Sequence, residues 1–163
     1  MLITGYHGTS KDIASKIIEK KYFMISNGDK EWLGRGIYFY TNYEDALEWS
    51  KLKYDTAFSV LHTIIEINQE EFIDFDTEEG KEIFECFKSL FNKHGIEQYD
   101  SVQKNQCAVM NFIWEHEINI KVLMCSFATK PNVFRTLIDG RRKRKEFCAR
   151  NNDVIKGLTL IKE

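Results

Sequence analysis

Gly34-Arg35-Gly36-Ile37-Tyr38-Phe39-Tyr40 places two glycines, one residue apart, directly ahead of four large β-prone residues. Glycine reaches backbone conformations closed to other residues, so the pattern predicts a tight turn feeding a strand. Thr41 and Glu44 follow at the spacing of a capping box, which predicts a helix carrying Ala46, Leu47 and Trp49.

Upstream, residues 2–6 read as a strand running into a turn at Gly8-Thr9-Ser10. Ser10 can cap the next helix, with Asp12 in its first turn and Ile13, Ile17 and Ile18 on one face. Downstream, β-branched content marks residues 58–67 as a buried strand. An acidic stretch follows, with Glu70, Glu71, Asp74, Asp76, Glu78 and Glu79. One helical stripe then carries Ile83, Phe84, Phe87, Leu90 and Phe91, and a second carries Cys107, Met110, Ile113 and Trp114; both read as core. Residues 122–127, 146–149 and 158–161 read as strands, the last two separated by a turn around Asn151 and Asn152. This alternation predicts an α+β fold with a mainly antiparallel sheet. The chain has no Gly-rich phosphate loop of the Walker or dinucleotide type, which argues against an NTPase or a Rossmann enzyme.

With 163 residues, no Gly/Ser/Pro-rich linker and no internal repeat, the chain reads as a single domain over residues 1–163. Apolar residues at 43% and aromatics at 13% are enough for a sizeable core, so a wholly disordered chain is excluded. A formal net charge of −2 excludes a bulk polycation, and affinity for phosphate would have to come from a local patch. Cys86, Cys107, Cys125 and Cys148 lie far apart with no CxxC pair, which reads as buried reduced thiols in a cytosolic protein. Met1 leads into strand-like sequence, with no secretory leader expected. No apolar run approaches the roughly 20 residues that span a bilayer. A soluble, cytoplasmic protein is expected.

Three segments carry residues suited to chemistry. In Tyr6-His7-Gly8-Thr9-Ser10 a histidine at a strand end precedes a glycine, whose backbone a ligand can approach and whose N–H and C=O can read a carboxamide. In the second, Tyr38 on a strand and Trp49 on the next helix can flank a flat ring. A cationic nicotinamide between two aromatic faces gains about 1–2 kcal/mol from stacking and cation–π attraction. The third is Arg141-Arg142-Lys143-Arg144-Lys145, ending at Glu146, which opens the strand Glu146-Phe147-Cys148-Ala149. Singly, each has an ordinary reading: a turn histidine, core aromatics, a solvated basic loop. His62, His94 and His116 have no partners at metal spacing, and no metal site is expected.

In this order and separation the three segments resemble the ADP-ribosyltransferase superfamily, in the His-Tyr-Glu branch that includes the poly(ADP-ribose) polymerases and the diphtheria-toxin-like enzymes. The resemblance implies split, mainly antiparallel sheets flanked by helices, and NAD⁺ as co-substrate. It implies that His7 holds the adenosine ribose through its 2′-hydroxyl and that Gly8, followed by Thr9, reads the nicotinamide carboxamide. Tyr38 and Trp49 would sandwich the nicotinamide ring. Glu146 would bind the 2′-hydroxyl of the nicotinamide ribose and stabilise the cation formed as nicotinamide departs. Members often carry a serine three residues before the second aromatic, where this chain has Ala46. Lys143-Arg144-Lys145 stands where arginine-modifying branches show an acidic residue, so an arginine acceptor is not expected. The short chain implies transfer of a single ADP-ribose.

In the superfamily the segment before the catalytic glutamate lies beside the acceptor. Five cations there, extended by Arg135 and Arg150, imply a nucleic acid acceptor, RNA or DNA, with a protein acceptor as the alternative. A compact transferase of this kind implies a toxin or phage-defence effector restrained by an antitoxin or inhibitor protein. Two non-catalytic readings stand beside it. One is an NAD⁺ or ADP-ribose reader, which Ala46 supports, and the other is an RNA-binding domain built on the basic loop.

Overall fold

The computed structural model describes residues 1–94, 99, 101–128 and 143–162. Along the chain the elements are β1 (Leu2–Ser10), α1 (Lys11–Lys20), β2 (Ile37–Tyr40), α2 (Tyr43–Tyr54), β3 (Phe58–Glu66) and β4 (Phe72–Asp74). They continue with α3 (Glu78–Lys93), α4 (Val102–His116), β5 (Val122–Ala128), β6 (Lys143–Ala149) and β7 (Ile155–Lys162). The fold is α+β. Among the described residues, seven strands join in the order β4-β5-β6-β2-β1-β3-β7, and only the β4–β5 pair is parallel.

Strand alternation divides the core. β2 turns Ile37 and Phe39 to one face, where they meet Phe147 and Ala149 of β6 and Ala14 and Ile17 of α1. The opposite face carries Cys148 and Leu123 into a second core with Phe91 of α3 and Met110, Ile113 and Trp114 of α4. β1 pairs with β3 along its whole length, from Leu2↔Glu66 to Ser10↔Phe58. It pairs with β2 at one register position, Tyr6↔Tyr40. The sheet is therefore two ladders, β4-β5-β6-β2 and β1-β3-β7, that touch at one point and part beyond it.

Several local expectations change for identifiable reasons. β1 continues through Gly8-Thr9-Ser10 instead of turning, because β3 offers it partners up to Ser10. Ser10 still caps α1, accepting from the Ile13 N–H at 3.3 Å. Thr41 does not cap α2, since its N–H and hydroxyl both donate to the Lys145 carbonyl at 3.0 and 3.2 Å. Asn42 takes that role, accepting from the Glu44 N–H at 2.8 Å. Lys143-Arg144-Lys145 is strand rather than loop, because β6 pairs with β5 from Lys143 onward. Ala14 and Ile17 are the buried residues of α1, while Ile13 and Ile18 stay partly exposed, as does Leu90 on α3. Cys107 and Cys148 are buried as expected, but Cys86 is exposed. Among the described residues no helix is long and apolar enough to cross a membrane.

Candidate active site

The register of β2, β6 and β5 builds one wall. Tyr38 lies opposite Cys148 and Tyr40 opposite Glu146, while Phe127 lies opposite Arg144. Paired residues share a face, and so do alternate residues of a strand. Tyr38, Tyr40, Arg144, Glu146 and Phe127 therefore stand on the same face. β1 and α2 close the other side across the parting of the ladders. The result is a cavity of about 520 Å³ lined by His7, Gly8, Thr9, Tyr38, Trp49 and Glu146, with Arg144 beside them. All three segments singled out in the sequence meet there.

His7 sits at the seam. Its Nδ1 lies 2.8 Å from the Tyr38 carbonyl oxygen, which can only accept, so Nδ1 carries the proton and Nε2 is left as an acceptor. Burial lowers its pKa, and the nearby Lys53 adds to the effect, against the opposing hydrogen bond that Nδ1–H donates to the Tyr38 carbonyl. The ring is a neutral imidazole at physiological pH, packed edge-on against Phe23 and Phe39 with centroids at 5.1 and 5.7 Å. A neutral acceptor nitrogen suits a sugar hydroxyl.

Tyr38 is locked by the turn ahead of it. Its hydroxyl donates to the Gly34 carbonyl at 2.6 Å and accepts from the Leu33 N–H at 2.9 Å. Gly34 has φ +75°, a left-handed conformation that explains the first glycine of the motif. Helix α4 fixes this loop from behind: Trp114 Nε1 donates to the Leu33 carbonyl at 3.0 Å, and the Arg35 N–H donates to Asn111 Oδ1 at 2.7 Å. The tyrosine ring is thus held in the cavity wall by its own turn.

Gly8 has a packing role as well as an open backbone. A Cβ there would overlap Ser50 Oγ and lie 2.9 Å from the Ala46 carbonyl, so only glycine lets α2 lie against β1. That close approach brings Trp49 to the cavity. Trp49 packs edge-on against Tyr54 at 5.9 Å, and Lys53 Nζ sits 4.6 Å from its ring centroid. Ala46 is fully buried. Ser50, one turn further on, donates its hydroxyl to the Ala46 carbonyl at 2.7 Å.

Glu146 is the carboxylate of the wall. Burial pushes its pKa up to about 7, helped by the negative Asp45 and Glu31 and opposed by Arg144 and a hydrogen bond from Tyr40. Tyr40, whose own pKa is raised by burial and by Glu146, remains a phenol and a donor. Tyr40, Asp45 and Glu31 are not singled out by the sequence reading, and Arg144 enters it as a contact to the acceptor and not as a neighbour that acts on Glu146. Arg144 and Tyr40 were within reach of such reasoning, because each lies two residues from a recognised site residue and so shares its strand face.

The described cations of the basic run have different surroundings. Arg144 Nη2 bonds Glu48 at 2.8 Å and its Nε lies 3.5 Å from the buried Asp45. Lys145 points to the other face, pairing with Asp74 at 2.7 Å and Asp76 at 3.0 Å. Arg150 donates to the Glu117, Ile118 and Ile120 carbonyls, closing the end of α4 instead of extending a phosphate patch. Lys143 is exposed. Arg135, Arg141 and Arg142 lie outside the described residues.

No family model matches the chain, and no solved structure matches it. It is similar to an uncharacterized protein of Methanocaldococcus jannaschii, 29% identical over 124 residues that cover 71% of this chain and 58% of the relative. The chain thus spans less than two thirds of that relative's length.

Proposed function

We propose that the protein is an NAD⁺-dependent mono-ADP-ribosyltransferase acting on nucleic acid. The observation that carries this reading is the convergence of His7, Tyr38, Trp49 and Glu146 on one cavity of about 520 Å³, a volume within the usual range of ligand sites. The donor set fits NAD⁺: a neutral imidazole acceptor for a ribose hydroxyl, aromatic side chains for the nicotinamide ring, and a half-buried carboxylate. The bond between C1′ and the nicotinamide nitrogen breaks with both electrons leaving on nicotinamide, which departs neutral and needs no strong acid. The sugar left behind is oxocarbenium-like, as in glycoside hydrolysis. Ionised Glu146, itself half-buried, stabilises it. The acceptor then bonds to C1′ and gives up its proton.

A non-catalytic NAD⁺ or ADP-ribose reader is the second reading, favoured by the buried Ala46. Mixing the protein with NAD⁺ and measuring free nicotinamide separates the two, since a reader releases none. With labelled NAD⁺ and a cell lysate, label lost to nuclease but not to protease is expected. Label lost only to protease would move the acceptor to protein.

The raised pKa of Glu146 sets a pH dependence. The carboxylate is the working form, so kcat/KM should rise about tenfold per pH unit below the midpoint near 7 and level off above it. Arg144→Ala removes the cation that opposes protonation, so its midpoint should lie higher. A wild-type kcat/KM that falls through this range as pH rises, or an Arg144→Ala midpoint below the wild-type one, would contradict the assignment.

A further inference from the structure

We infer that Trp32 and Phe127 form the platform that holds the acceptor, and that the acceptor is an unpaired nucleobase. This rests on the NAD⁺ reading above and deepens it. The two rings pack with centroids 5.3 Å apart at 33°, and both line the cavity. The sheet order places them. Crossing the wall from β1 to β2, β6 and β5, the cavity residues are His7, then Tyr38 and Tyr40, then Arg144 and Glu146, then Phe127. Three strand spacings, about 14 Å, separate the first strand from the last. A dinucleotide held by His7 and Trp49 reaches Glu146 from the β1 side. Among the described residues, the Phe127 side remains for the second reactant.

The platform is held in place. Gln106 Nε2 donates to the Trp32 carbonyl at 3.2 Å and Gln103 Nε2 to the Lys30 carbonyl at 2.6 Å, tying both residues to α4. Between them Glu31 accepts from the Ser26 hydroxyl, lines the cavity and acts electrostatically on Glu146. A cavity that holds both an aromatic pair and a carboxylate matches a ring that has a π-surface and an N–H on its rim. Nucleobases have both, and only an unpaired base exposes them together. In the transfer, a base nitrogen bonds to C1′ after the bond to nicotinamide has broken and its electron pair has left with nicotinamide. The proton of that nitrogen passes to the Glu31 carboxylate.

The test incubates the protein with NAD⁺ labelled in its adenosine half and a mixed-sequence single-stranded DNA or RNA oligonucleotide. Nicotinamide release and label transfer are recorded separately. Wild type should label the oligonucleotide, and digestion to nucleosides should leave ADP-ribose on a base. Trp32→Ala and Phe127→Leu should lower transfer per nicotinamide released by about tenfold or more, and Trp32→Phe should restore most of it. Proportional loss of release and transfer would overturn the inference, because the pair would then serve NAD⁺. Label on phosphate or ribose, or on added protein alone, would overturn it too. Nicotinamide release without oligonucleotide labelling would sink the nucleobase and spare the NAD⁺ reading, whereas no release from wild type in any mixture would sink both.

Discussion

Glu146→Gln is expected to lower nicotinamide release by about 10²–10³-fold while NAD⁺ affinity changes far less. The reason is that the positive charge of bound NAD⁺ lies on the nicotinamide ring in the ground state and moves onto the ribose, beside the carboxylate, only as the bond to C1′ breaks. The same substitution should stabilise the fold at alkaline pH. Glu146 binds its proton more tightly folded than unfolded, with a pKa near 7 against an ordinary 4.5. Its favourable contribution is complete below the unfolded value and is lost as pH rises through 7. At pH 8 the loss approaches about 3 kcal/mol, from about 1.4 kcal/mol for each unit of difference. Glutamine keeps the shape and never ionises. Thermal melts at pH 5 and pH 8 should therefore show a gain in Tm for the variant at the higher pH and little change at the lower. Full turnover in the variant would remove Glu146 from the mechanism, and an equal Tm shift at both pH values would remove the ionisation argument.

Gly8→Ala carries the other large effect. The added methyl meets Ser50 Oγ and the Ala46 carbonyl, both in the fully buried contact between β1 and α2. Overpacking of this kind costs about 1–3 kcal/mol, and more where backbone is struck. Relief requires α2 to move away from β1, which carries Trp49 away from His7. Loss of stability in denaturant titration should come with weaker NAD⁺ binding by calorimetry. Adding Ser50→Gly removes the hydroxyl from the collision, though not the carbonyl, so stability and binding should both recover in part. An alanine at position 8 that leaves both unchanged would mean that the close approach of the two elements has no role in shaping the cavity.

Much of the fold was open to reading in one dimension. β2 was predicted at its observed limits from four β-prone residues behind a glycine turn, and Cys107, Met110, Ile113 and Trp114 are all buried on α4 as their spacing implies. The misreadings share a cause. Thr41 loses the cap of α2 to Asn42 because the Lys145 carbonyl, distant in sequence, takes its hydroxyl. The run of cations read as a free patch because nothing in its own neighbourhood reveals that Asp45, Glu48, Asp74 and Asp76 wait for Arg144 and Lys145.

From the order of residues alone came the strands and helices, the sign of each side chain, and three separated segments whose chemistry is complementary. Those follow from local periodicity, since a side chain's face within a strand or helix depends only on its own few neighbours. Tertiary structure alone decided that the segments line one cavity, that Glu146 is pressed towards its neutral form, that two of the cations are already paired, and that Trp32 meets Phe127. Each of these depends on the register and packing of segments far apart in the chain. Burial and charge pairing are properties of the space those segments share, which no one of them contains by itself.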